Sequence, residues 1–151
     1  MKKPISTRVH GVLDYMTAAF LHTLPRVMGW SPTVTGLLDA AGGAATAYSL
    51  MTRYELGAVR VLPMKAHLTL DALTGGAMIG AALLLEDEDP EVRATLAGIG
   101  LWEIGAALLT QTRSPAPPRP RVAGEVVDKT VSGMKSAART VAGRVPAVQG
   151  L

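Results

Sequence analysis

Seven ionisable side chains interrupt otherwise apolar stretches of this sequence: His10, Asp14, His22, Asp39, His67, Asp71 and Glu103. Their spacing sorts them. His10, Asp14 and Thr17 follow one another at i, i+4 and i+7, which puts all three on one face of a helix. His67, Asp71 and Thr74 repeat that pattern, and Thr35, Asp39, Gly42 and Thr46 form a further stripe. Two imidazoles with two carboxylates are a donor set that suits a zinc-like divalent ion. Two histidines can equally ligate a haem iron, and a cluster of titratable groups can relay protons. The same residues can also simply bond one another, each His to the Asp one turn on, since pairing is what makes buried charge tolerable. The residues alone leave these readings open.

Those groups need elements to carry them, and four apolar segments are present: Val9–Leu24, Thr33–Met51, Met64–Leu85 and Val92–Leu109. A helix of about 20 apolar residues crosses a bilayer, so the segments read as four spanning helices. The first is short, ending where Pro25-Arg26 follow. Two helix starts are marked by Ser31-Pro32 and Asp89-Pro90, each a capping side chain before a proline at the first helical position. Thr52-x-x-Glu55 reads as another cap. Ionisable groups inside spanning helices are costly and face the bundle interior. By depth, at about 1.5 Å per residue, His10, Asp14, His67, Asp71 and Glu103 form an inner cluster. His22 and Asp39 form a separate outer pair.

The composition agrees. Of 151 residues, 48% are hydrophobic but only 4% aromatic and 18% charged, a charged share below that of a soluble domain. Glycine and alanine at this density suit close helix packing in lipid. With no cysteine there is neither disulfide nor thiolate metal site. The net charge is +3, but the basic residues flank apolar runs, which points to a membrane and not to nucleic acid. Lys2, Lys3 and Arg8 precede the first helix, Arg53, Arg60 and Lys65 lie between the second and third, and Arg113, Arg119 and Arg121 follow the fourth. The other two loops hold Arg26 and the acidic run Glu86-Asp87-Glu88-Asp89. By the positive-inside rule both termini and the middle loop are cytoplasmic.

The chain also repeats itself. His10-Gly-Val-Leu-Asp14-Tyr-Met-Thr17 matches His67-Leu-Thr-Leu-Asp71-Ala-Leu-Thr74, and Gly36-Leu-Leu-Asp39 matches Gly100-Leu-Trp-Glu103. Two helical hairpins in tandem, about 7–53 and 64–113, would be related by an axis along the membrane normal. Residues 114–121, Ser-Pro-Ala-Pro-Pro-Arg-Pro-Arg, form a stiff linker. In 122–151, Val127, Val131, Met134, Ala138, Val141 and Val145 recur at helical steps with Lys129, Lys135, Arg139 and Arg144 between them. This tail reads as a basic amphipathic helix for anionic lipid or a partner helix, or as a disordered segment.

Several of these stretches resemble the SPW-repeat family of small bacterial integral membrane proteins. They are Thr7-Arg-Val-His-Gly-Val-Leu-Asp-Tyr15, Tyr48-Ser-Leu-Met-Thr-Arg-Tyr-Glu-Leu-Gly57, Leu62-Pro-Met-Lys-Ala-His-Leu-Thr-Leu-Asp71 and Glu103-Ile-Gly-Ala-Ala-Leu-Leu-Thr110. The resemblance covers about residues 7–113. In place of the family's Ser-Pro-Trp step stand Leu24-Pro25-Arg26 and the acidic run. The resemblance implies a four-helix protein of the bacterial inner membrane and no known reaction. The paired H-x-x-x-D motifs are also similar to the metal site of cation diffusion facilitators.

The expectation is therefore an all-α four-helix transmembrane bundle with a cytoplasmic tail, acting as a structural or interaction protein. The alternative is a membrane-embedded module that binds or transports a divalent metal, a proton or haem, with His10, Asp14, His67 and Asp71 as the metal candidates. No nucleophile–base constellation, phosphate loop or dinucleotide fingerprint marks an enzyme, and no cofactor is required. The expected partners are the bilayer and a second copy or another membrane protein.

Overall fold

The computed structural model describes residues 3–115. Within them the chain forms four helices, α1 (Thr7–Met28), α2 (Pro32–Met51), α3 (Met64–Leu84) and α4 (Pro90–Leu109), and no strand longer than an isolated bridge. The expected linker beyond Pro115 and the tail at 122–151 lie outside the described residues.

Local chemistry sets the helix ends. The Ser6 hydroxyl accepts the Val9 amide at the start of α1, and Ser31 accepts that of Val34 at the start of α2, ahead of Pro32. Asp89 holds the equivalent position before Pro90 but makes no capping bond, so only one of the two expected caps forms. Helix α1 also runs past Pro25. That proline sits in the last turn, where its missing N–H removes one bond, while its carbonyl accepts the amides of Gly29 and Trp30. Gly29, at φ 66°, then ends the helix in the left-handed conformation that glycine adopts without strain.

The helices pair as two hairpins, α1 with α2 and α3 with α4, while α2 meets α3 more sparsely. Glycine allows the closest approach. A Cβ on Gly100 would lie 2.4 Å from the Gly75 carbonyl oxygen, and one on Gly75 would lie 2.6 Å from the Gly100 carbonyl oxygen, so α3 and α4 touch backbone to backbone. The turn end of the bundle holds an apolar core of Leu21, Val34, Leu38, Met78, Leu96 and Ile99. Ser31, between α1 and α2, donates to Glu88, between α3 and α4, at 2.5 Å. At the other end, where the chain enters and leaves, a smaller cluster joins Tyr54, Met64, Leu68 and Ala107.

The two halves close on each other there in the same way twice. Thr52, just after α2, pairs in parallel with Leu62, just before α3; Thr110, just after α4, pairs in parallel with Ile5, just before α1. The amides of Arg53 and Gln111 donate to the carbonyls of Leu62 and Ile5 at 2.8 and 2.9 Å. The strand-like stubs that close the bundle are thus related by the same internal repeat as the helices.

Two of the helices, α3 and α4, are long and apolar enough to cross a membrane. Helices α1 and α2 fall short of that measure. Arg8, His10, Asp14, His22 and Arg26 lower the hydropathy of α1, and the Gly, Thr and Ser of α2 do the same around Asp39. Large apolar side chains nonetheless stand on the outside: Val12, Met16 and Phe20 on α1, Leu73 and Leu84 on α3, Leu101, Trp102 and Leu108 on α4.

Candidate functional site: a buried His–Asp centre

The helical stripes of α1 and α3 meet inside the bundle. Nε2 of His10 and Nε2 of His67 lie 3.1 Å apart, 57 residues separated in sequence. The His10 Nε2 is 3.2 Å from Oδ1 of Asp14 and 3.1 Å from Oδ2 of Asp71. The His67 Nε2 is 3.2 Å from Oδ2 of Asp14 and 3.3 Å from Oδ2 of Asp71. Each histidine therefore approaches both the aspartate one turn on and the aspartate of the other half. His10, His67 and Asp71 are all 1% exposed or less.

A ring of hydroxyls surrounds these four side chains. Thr110 Oγ1 lies 2.9 Å from Nδ1 of His10, and Thr52 Oγ1 lies 2.8 Å from Nδ1 of His67. Each threonine donates its one proton to a backbone carbonyl, Thr110 to Ala106 at 2.7 Å and Thr52 to Tyr48 at 2.6 Å. A hydroxyl has a single proton to give, so towards the imidazole each must accept. Both Nδ1 atoms are thereby placed to donate, and in a neutral ring so held Nε2 is left as an acceptor. On the carboxylates, Tyr48 donates to Oδ1 of Asp71 at 2.8 Å. Tyr54 and Ser49 donate to Oδ2 of Asp14 at 3.1 and 3.2 Å. Tyr54 is fully buried, with its ring against Gly11, where a Cβ would meet it at 2.5 Å. Burial, reinforced by the charge of Asp14, pushes its phenol well above the usual range, so it remains a donor.

The pairing of donors crosses the halves. The second hairpin's Thr110 holds the first hairpin's His10, while Thr52 and Tyr48 of the first hold His67 and Asp71 of the second. None of these hydroxyls was identified from the sequence. A signal existed: Met51-Thr52-Arg53 and Leu109-Thr110-Gln111 occupy matching places after the second helix of each half. The expected Thr52-x-x-Glu55 cap does not form. Thr52 serves His67, and Glu55 instead accepts the hydroxyls of Thr7, at 2.8 and 3.1 Å, and Ser114, at 3.2 Å.

The fifth member of the expected inner cluster stands apart. Glu103 is half-buried on α4, its Cβ beside Gly75 and hence one turn from Asp71, and it makes no hydrogen bond among the described residues. His22 and Asp39 do meet, with Nδ1 and Oδ1 at 2.7 Å, but as part of a triad. Arg26, in the last turn of α1, grips both oxygens of Asp39 at 2.8 and 2.7 Å. This triad is part-exposed, with His22 two turns beyond Asp14 on α1, and Ile79 stands where His22 would fall in the second hairpin.

Among the described residues, His10, Asp14, His67 and Asp71 form a group that could hold a metal, with one ligand atom from each lying within 4.8 Å of the others. No protein-family model, curated protein or solved structure matches this chain.

Proposed function

We propose that this chain is a four-span membrane protein whose two hairpins are joined by the His–Asp centre, and that its role is that of a structural or binding module and not an enzyme. The observation that carries the reading is the inverted distribution of polarity. The ionisable groups His10, Asp14, His67 and Asp71 point inward and engage one another, while Val12, Met16, Phe20, Leu73, Leu101 and Leu108 face outward. In water that arrangement would expose a large apolar surface; in lipid it is the favourable one. The low hydropathy of α1 and α2 fits, because their polar residues are the inward ones. The two histidines and Asp71 are buried and Asp14 is nearly so, which favours holding over turnover. The resemblance to SPW-repeat proteins and a place in a bacterial inner membrane belong to the same proposal, with both termini cytoplasmic by the Lys/Arg asymmetry.

Reporter fusions after Met28, Tyr54, Asp89 and Thr112 test it. Cytoplasmic signals at Tyr54 and Thr112 and external signals at Met28 and Asp89 are expected. An external signal at Tyr54 or Thr112, or a chain recovered outside the membrane fraction, overturns the topology.

A further inference from the structure

We infer that the centre is a metal site, in which one divalent ion is held tetrahedrally by Nε2 of His10, Nε2 of His67 and one carboxylate oxygen each of Asp14 and Asp71. This rests on reading the cluster as the buried joint between the two halves.

The first ground is which atoms are left over. On each of the four side chains one polar atom is engaged by a hydroxyl: Nδ1 of both histidines by Thr110 and Thr52, Oδ1 of Asp71 by Tyr48, Oδ2 of Asp14 by Tyr54 and Ser49. The remaining atoms, the two Nε2, Oδ2 of Asp71 and Oδ1 of Asp14, have one another as partners. With both rings neutral and their hydrogens on Nδ1, every one of them is an acceptor, and they converge on one point. Acceptors crowded together in a buried site repel unless a cation lies among them. Metal-bound histidines are held by just such a bond from the far ring nitrogen, and metal-bound carboxylates by bonds to the spare oxygen.

The second ground is distance. Four ligands about 2.0–2.1 Å from a tetrahedral zinc-like ion stand about 3.3–3.4 Å from one another. The separations here are 3.1 Å between the two nitrogens, 3.2 and 3.1 Å from His10 Nε2 to Oδ1 of Asp14 and Oδ2 of Asp71, and 3.3 Å from His67 Nε2 to Oδ2 of Asp71. Haem does not fit. Two axial nitrogens on opposite sides of an iron stand about 4 Å apart, about twice the bond length, with a porphyrin ring between them. Here the nitrogens are closer and carboxylates occupy the space beside them. Two imidazoles also argue against calcium or magnesium, which take oxygen ligands.

The third ground is charge. Two neutral imidazoles, two carboxylates and one divalent cation sum to zero, and a neutral assembly is what a low-dielectric interior tolerates. With all four positions taken by protein, the ion has no open coordination position. That is the form of a structural site, in contrast to the catalytic form that keeps a place for water. The ion would act as a clasp between the hairpins, since each half contributes one His and one Asp.

The test uses the full chain extracted from membranes in detergent without chelator. Elemental analysis is expected to find close to one zinc-like ion per chain. After stripping, Co2+ is expected to restore one equivalent with the intense visible absorption of four-coordinate cobalt. Asp71→Asn keeps the shape and the Tyr48 contact but removes the charge, and is expected to abolish that spectrum while helical circular dichroism persists. Thr52→Val and Thr110→Val are expected to weaken Zn2+ binding by about 10–100-fold each, with Thr→Ser restoring it. A membrane-extracted, folded chain with no metal and no cobalt spectrum overturns the metal and leaves the proton-bridged joint. So does metal retained equally by Asp71→Asn. A chain found outside the membrane fraction overturns the membrane reading instead, whatever its metal content.

Discussion

Thr110 Oγ1 accepts the Nδ1 hydrogen of His10 at 2.9 Å, joining the residue that ends α4 to one in the first turn of α1, 100 residues earlier. Thr52 does the same for His67. The consequence is that the two hairpins cannot separate without breaking both of these imidazole bonds. The tautomer at the centre of the molecule is therefore set by the way the chain closes on itself.

Removing either hydroxyl tests this directly. Thr52→Val and Thr110→Val keep the side-chain volume but strand a buried N–H, which costs about 1–3 kcal/mol each. Thermal unfolding in detergent is expected to shift down for both valines and to recover with serine. Equal stability of Thr110→Val and the parent chain would show that the bond carries no weight.

Close packing of α3 on α4 gives a second expectation. A methyl group on Gly100 would lie 2.4 Å from the Gly75 carbonyl and 2.7 Å from Ile79, so Gly100→Ala must push the helices apart. Overpacking of this kind costs about 1–3 kcal/mol. Gly98, two residues away, has nothing within 4 Å of such a methyl, and Gly98→Ala is expected to leave stability unchanged or slightly raised. The comparison of the two melting curves is the check.

The sequence pattern made some of this legible and hid the rest, for physical reasons. His10/Asp14 and His67/Asp71 declare themselves because i, i+4 spacing is a property of one helix, and because the chain states it twice. The pairing of His22 with Asp39 followed from depth alone. Arg26 was read only as a loop charge, yet it closes on Asp39, because α1 continues one turn beyond Pro25 and carries the guanidinium back towards α2. Thr52 and Thr110 were hidden for a different reason. They sit in extended backbone just past the helices, outside any periodic stripe, and their partners are supplied by the other half of the fold. Glu103 shares the depth of the cluster but not its bonds, a distinction that depends on side-chain direction.

Metal occupancy should depend on pH with a definite sign. A histidine ligates through an unprotonated nitrogen, so binding competes with protons and affinity rises with pH. Zn2+ affinity of the stripped chain is expected to increase as pH rises from the acid side and then to level off. Titration calorimetry in buffers of different ionisation enthalpy would detect the released protons. Affinity flat as pH rises would mean that the histidines are not ligands.

The coupling between the two aspartates is the most demanding expectation. Asp14 and Asp71 lie in different hairpins, 57 residues apart in a chain where each approaches the same two histidines. If the hairpins were independent, the stability losses of Asp14→Asn and Asp71→Asn would add. In one shared network the first change already strips the centre of its charge balance, so the second removes less. A coupling of about 0.5–3 kcal/mol is expected for residues joined through common partners. The double-mutant cycle, run in the same detergent with metal present and again after stripping, measures it. Coupling that is large with metal and small without it would identify the ion as the link. Coupling equal in both conditions would assign the link to the histidines themselves, and losses that simply add would mean that each hairpin stands alone.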